Sequence, residues 1–218
     1  GLNVFGDIQS QQTLLAHLHH VCRIGAGLGA SRLVFGSPRN RDRTGLSDVQ
    51  AHEQAVAFFR QAGDVAARHG VMLCLEAVAP LYGANFMTTT PDCATVVRAV
   101  DHPALRMLLD TGAMQINGED PQDMVPHTAD ITEHIHLAEP GLIPYGDGGA
   151  DYVRVRDSLV RHVPQCTATL EILPGKAEPA LPAMARSLAF ATALYRSADH
   201  CNRNTSSSEP AVSRASVQ

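Results

Sequence analysis

The feature that most constrains this chain is an alternation of short apolar runs with stretches of helical periodicity. Arg32–Phe35 (RLVF), Val71–Glu76 (VMLCLE), Leu105–Asp110 (LRMLLD), Ile131–Leu137 (ITEHIHL) and Thr167–Ile172 (TATLEI) have the length and apolar content of buried strands. A helix precedes the first of them. Gln9–Gly25 places Leu14, Leu15, Leu18, Val21 and Cys22 at helical spacing before Gly27-Leu28-Gly29 stops it. Ser47 with Gln50 three residues on is a capping-box signature, opening a helix that runs to His69 and ends at Gly70. Thr90-Pro91 marks an N-cap and first helical residue, with the helix reaching about Val100. Further helices are expected at Pro121–Ala129, where Pro126 shortens or bends the segment, at Asp151–His162 and at Glu178–Ser197.

Strands separated by helices imply a parallel sheet made of right-handed βαβ units. Two closures satisfy the pattern, an open doubly wound sheet or a β/α barrel. A barrel needs eight strands and typically about 250 residues. The chain has 218 residues and shows five strands, with a helix leading and no strand before it. If it is a barrel, it is an incomplete one, with about three N-terminal strands missing. Residues 1–200 are expected to form this unit. From Cys201 the polar, Ser-rich "CNRNTSSSEPAVSRASVQ" lacks periodicity and reads as a disordered tail over 201–218.

The strands share a peculiarity at their ends. "LCLE" ends in Glu76, "MLLD" in Asp110, "HIHL" contains His136 and "ATLE" contains Glu171. An ionised carboxylate at the end of a buried strand costs several kcal/mol unless something pairs with it. Taken singly, such a residue more often caps a turn or the next helix. In parallel α/β folds, however, the carboxyl ends of the strands form the active-site face, so four such groups on successive strands converge. Three carboxylates and one imidazole suit an octahedral divalent ion such as Mn²⁺, Mg²⁺ or Co²⁺ better than structural zinc, which prefers thiolates.

Composition narrows the class. A net charge of −5 supplies no basic stripe for nucleic acid, and no apolar run approaches the roughly 18 residues of a membrane span. The first residues lack the charged and apolar regions of a signal peptide, and five cysteines without a C-x-x-C pair read as thiols in a reducing cytosol. A cytoplasmic protein is the expectation.

Four segments then resemble a known family: "LGASRLVFGSPRNR" (28–41), "CLEAVAPLYGANF" (74–86), "LLDTGAMQINGED" (108–120) and "HIHLAEPGL" (134–142). With the order Glu, Asp, His, Glu at intervals of 34, 26 and 35 residues, they resemble the xylose isomerase-like TIM barrels. Among these the similarity is to the sugar phosphate isomerase/epimerase family that includes D-tagatose 3-epimerase. The resemblance spans about residues 1–175 and corresponds to strands four to eight of that barrel.

The resemblance implies that Glu76, Asp110, His136 and Glu171 bind one divalent metal ion. It also implies that Glu76 and Glu171 face each other across a carbohydrate substrate and exchange protons with adjacent carbons. Such an enzyme isomerises or epimerises a sugar, sugar phosphate or sugar acid through an enediolate. A homodimer is the expected assembly by the same analogy. The sequence departs from the characterised epimerases at two substrate contacts: Ala113 stands where they carry His, and Leu142 where they carry Arg.

Arg39, Arg41 and Arg43 in "SPRNRDR" follow a strand and could hold an anionic group, and Glu139 and Lys176 lie near the same face as substrate-contact candidates. Glu139 could equally cap a loop. His134 shares a strand face with His136, which makes it a candidate partner of the metal ligands. His17 and His20 share a face of the first helix, more simply read as solvated. Cys74 and Cys166 read as core residues. Competing functions are an inosose dehydratase-like lyase on the same barrel and a truncated, non-catalytic barrel that only binds a ligand or partner. An endonuclease of the same barrel type would need further His and Asp ligands and a basic surface, which the sequence does not offer.

Overall fold

The structure is a computed structural model that describes residues 1–173, 175 and 178–205. Its centre is a parallel sheet of five strands in sequence order: β1 (Arg32–Phe35), β2 (Met72–Glu76), β3 (Leu105–Asp110), β4 (Thr132–Ala138) and β5 (Thr167–Glu171). Because consecutive strands are always neighbours, the sheet never switches back as a doubly wound sheet does. It curls into a half-barrel, an incomplete TIM barrel with β1 and β5 at its edges.

Helices alternate with the strands: α1 (Ile8–Gly27), α2 (Asp48–Arg68), α3 (Thr90–Val100), α4 (Thr111–Asn117), α5 (Pro121–Thr128), α6 (Tyr152–His162) and α7 (Ala180–Thr205), with α4 set at the carboxyl end of β3. Their starts follow local chemistry. The Ser47–Gln50 capping box at α2 is formed, and Thr89 with Asp92 builds another at α3, one residue earlier than the Thr90 read from the sequence. Pro126 lies inside α5, which ends two residues later at Thr128. Helix α4 was not expected; it is a seven-residue turn containing Gly112, too short to show a period. Helix α7 runs to Thr205 and so takes in the beginning of the expected tail, whose residues 206–218 lie outside the described residues.

Alternation along the strands divides the sheet into two faces. Leu73, Leu75, Leu105, Met107, Leu109, Ile135 and Leu137 point outward and join one core with Phe58, Phe59, Val65, Val97 and Val100 from α2 and α3. By the pairing register, the concave face carries Val34, Cys74, Glu76, Leu108, Asp110, His134, His136, Thr169 and Glu171. The core-facing set is almost wholly aliphatic and aromatic, whereas the concave face gathers the ionisable side chains. Across it, Arg32 on β1 reaches Glu133 on β4, with Nη2 2.6 Å from Oε1 and Nε 3.1 Å from the Glu133 carbonyl.

Candidate metal centre

Glu76, Asp110, His136 and Glu171 leave four adjacent strands at the carboxyl end of the sheet, and each offers an atom within 4.8 Å of the others. The carboxylates aim at one imidazole nitrogen. His136 Nδ1 is 3.0 Å from Glu76 Oε1, 3.1 Å from Glu171 Oε2 and 3.8 Å from Asp110 Oδ2. Glu76 and Asp110 are buried, and His136 and Glu171 are partly so. Burial opposes charge on the His136 ring, yet hydrogen bonds with Asp110, Glu171 and Glu76 outweigh it and push its pKa up to about 11. Burial raises the pKa of Glu76 against the pull of His136, while the hydrogen bond from His136 lowers that of the more open Glu171.

One protonated imidazole cannot balance three carboxylates. The surplus negative charge and the all-oxygen-plus-imidazole donor set fit a hard or borderline divalent cation. The donor set suits the ion that the sequence implies.

Asp110 also answers why a buried strand should end on a carboxylate. Its Oδ1 caps α4 by accepting the Ala113 N–H at 2.6 Å, leaving Oδ2 to face His136. The capping reading is met by one oxygen, and the other joins the cluster of candidate ligands. His134 lies one pleat deeper, its ring 5.5 Å from that of His136 and its Nε2 3.1 Å from Thr169 Oγ1.

Above these groups lies a pocket lined by Gly36, Ala77, Val78, Ala79, Tyr82, Gly112, Ala113, Glu139 and Leu142 together with Glu76, Asp110 and Glu171. Tyr82 spans its mouth, its hydroxyl accepting the Gly141 N–H at 2.8 Å and tying the loop after β2 to the loop after β4. Gly36 was invisible as a site residue in the sequence. A Cβ there would stand 1.9 Å from Glu76 Oε2, so only glycine leaves room for that carboxylate.

The other sequence candidates separate. Arg39 is exposed on the short turn Pro38–Arg41, and neither it nor Arg41 lines the pocket. The side chain of Arg41 is fully buried and donates from Nη1 to the main-chain carbonyl of Glu76 at 2.6 Å. The turn thus sends Arg39 to solvent and Arg41 under the strand, so the two do not come together at the pocket. Arg43 pairs with Asp48 and bonds the Asn85 carbonyl at 2.7 Å. Glu139 borders the pocket but is fully buried, and its Oε1 accepts the Gly146 N–H at 3.0 Å and the Tyr152 hydroxyl. It holds the loop before α6, the second of its two sequence readings. Lys176 lies outside the described residues. His17 and His20 are exposed, and His19 instead meets His69 across α1 and α2 at 3.0 Å.

The model of the xylose isomerase-like TIM barrels matches residues 5–194, most of the chain. The chain belongs to that family. Among solved structures of similar fold, this family member aligns with an L-ribulose 3-epimerase at TM-score 0.81 and 16% identity, covering 96% of this chain and 76% of the other. A D-psicose 3-epimerase from Clostridium cellulolyticum H10, solved with D-tagatose, gives TM-score 0.77 and 18% identity, covering 89% and 75%. A 3-keto-D-glucoside 4-epimerase from E. coli gives 0.71 and 17%, covering 86% and 74%. The xylose isomerase-like chain thus spans about three quarters of each of these proteins. A search of curated protein sequences finds no match. No helix of the described residues is long and apolar enough to cross a membrane.

Proposed function

We propose that this protein is a divalent-metal-dependent sugar isomerase or epimerase, with Glu76 and Glu171 as its proton-transfer pair. The observation that carries the reading is the convergence of Glu76, Asp110, His136 and Glu171 on one point beneath a pocket. The fold neighbours, among them 3-epimerases and a 4-epimerase of sugars, point to the same class.

A divalent cation held by these four residues would polarise the substrate carbonyl and stabilise negative charge on its oxygens. The chain supplies the rest. One glutamate removes the proton from the carbon beside the carbonyl, and the electron pair left on that carbon moves toward the carbonyl oxygen. The other glutamate returns a proton from the opposite face, which inverts the centre. Delivery to the neighbouring carbon instead converts ketose to aldose. Asp110 and His136 act as ligands and hold the geometry, while the Tyr82–Gly141 tie limits water above the site. Ala77, Ala79 and Ala113 leave the pocket walls small.

The test is Mn²⁺ binding followed by solvent deuterium exchange into D-psicose, D-tagatose, L-ribulose and a set of sugar acids. Exchange in the parent protein, with Glu76→Gln and Glu171→Gln each slowed by about 10²–10⁴-fold, is the expected result. Both variants should lose less Mn²⁺ affinity than His136→Ala, which removes a ligand outright. Loss of water from the substrate in place of exchange would assign a lyase. A parent that binds no Mn²⁺ and exchanges no proton would leave a non-catalytic barrel.

A further inference from the structure

Arg41 is a fully buried guanidinium that the proposed chemistry does not use. It sits at the end of the turn after β1 and reaches under the neighbouring strand. Its Nη1 donates to the Glu76 main-chain carbonyl at 2.6 Å, while Nε and Nη2 have no hydrogen-bond partner among the described residues. Such an arrangement is poor for stability. A buried cation with unfilled donors is costly, and replacing buried charges by well-packed apolar groups is often neutral or stabilising. What the residue does accomplish is local. It clamps the last peptide of β2, from which the Glu76 side chain rises toward His136. It also places a fixed positive charge behind the most buried of the site's glutamates, outside a pocket that no arginine or lysine among the described residues lines.

We propose that Arg41 is a positioning residue for Glu76. It fixes the strand-end peptide so that the carboxylate stands where it can both bind a metal ion and meet a substrate carbon, and its charge steadies that carboxylate from below. This rests on the functional reading given above. Groups that orient metal ligands typically change metal affinity or activity by roughly 10–100-fold when lost. Stability and function should therefore move apart on mutation, which a purely structural arginine would not allow.

The experiment compares Arg41→Met, Arg41→Gln and Arg41→Lys with the parent. Its readouts are melting temperature, Mn²⁺ affinity by electron paramagnetic resonance, and kcat and KM for deuterium exchange with the fastest-exchanging ketose. Arg41→Met is expected to melt no lower than the parent. Its Mn²⁺ affinity and kcat should each fall by roughly 10-fold or more, with KM little changed. Arg41→Lys, which keeps the charge and a donor, should recover much of both losses. If Arg41→Met does not fold, the same difference is expected between Arg41→Gln, which lacks the charge, and Arg41→Lys. A folded Met or Gln variant with parental Mn²⁺ affinity and kcat overturns the inference, as does a Lys variant no better than Gln. A parent without Mn²⁺ binding or exchange overturns the reading of the site and this inference with it.

Discussion

Asp110 divides its carboxylate between two tasks, capping α4 through Oδ1 and facing His136 through Oδ2. Several side chains here are constrained in this double way, and single-atom changes should therefore be felt. Gly36→Ala is the sharpest case. The added Cβ would collide with Glu76 Oε2, and the collision is with a charged group already held by His136. Exchange activity should fall by up to about 10²-fold, the order expected for a reacting group displaced by an ångström. The far-ultraviolet circular dichroism should be unchanged, and both can be measured on one preparation. His136 offers a test by pH. Its folded-state pKa of about 11 stands above the unfolded 6.5, so the stability it contributes is complete below pH 6.5. That contribution declines as pH rises and is gone above about 11. Denaturant titrations of the metal-free protein across this range should show the decline, and His136→Asn should flatten it.

At the scale of the element, caps and pleats decide where chemistry stands. The Ser47 side chain accepts the Gln50 N–H at 3.3 Å while Gln50 Oε1 accepts the Ser47 N–H at 3.0 Å, which fixes the first turn of α2. Ser47→Ala should cost about 1 kcal/mol, the usual worth of such a cap. Thermal denaturation would detect it, and exchange kinetics should be unaffected because the cap lies outside the pocket lining. In β4 the two-residue pleat puts His134 and His136 on the same side, and a register shift between Met107 and Leu108 leaves Glu133 facing Arg32 as well. That irregularity lets one short strand present three polar side chains to the concave face.

The molecule as a whole is an arc with two edge strands and a polar concave face. Closed barrels of this type fill their interior with branched aliphatic side chains. Here Arg32 and Glu133 form a chord from β1 to β4, with side chains 29% and 32% exposed. Partial exposure screens the pair, so Arg32→Met should destabilise by no more than about 1 kcal/mol. The difference from the parent should shrink with added salt in urea titrations. A larger, salt-insensitive loss would mean that packing of the arginine stem, not the ion pair, holds the arc.

The sequence by itself determined the element order, because apolar period and cap residues are local signals. The five strands appear within a residue or so of their expected bounds. It also named the converging residues Glu76, Asp110, His136 and Glu171, since in a parallel sheet every strand end lies on one face. It could not show α4, whose seven residues are fixed by the Asp110 cap and not by a pattern. It could not tell that Arg41 turns beneath β2 while Arg39 turns to solvent, since both follow the same strand. Nor could it mark Gly36 and Tyr82, or choose between the two readings of Glu139, because their roles depend on partners 40, 59 and 13 residues away. Those distances close only when the chain curls. Which neighbours a residue meets across strands and loops is a property of the packed arc, and only the tertiary structure decided it.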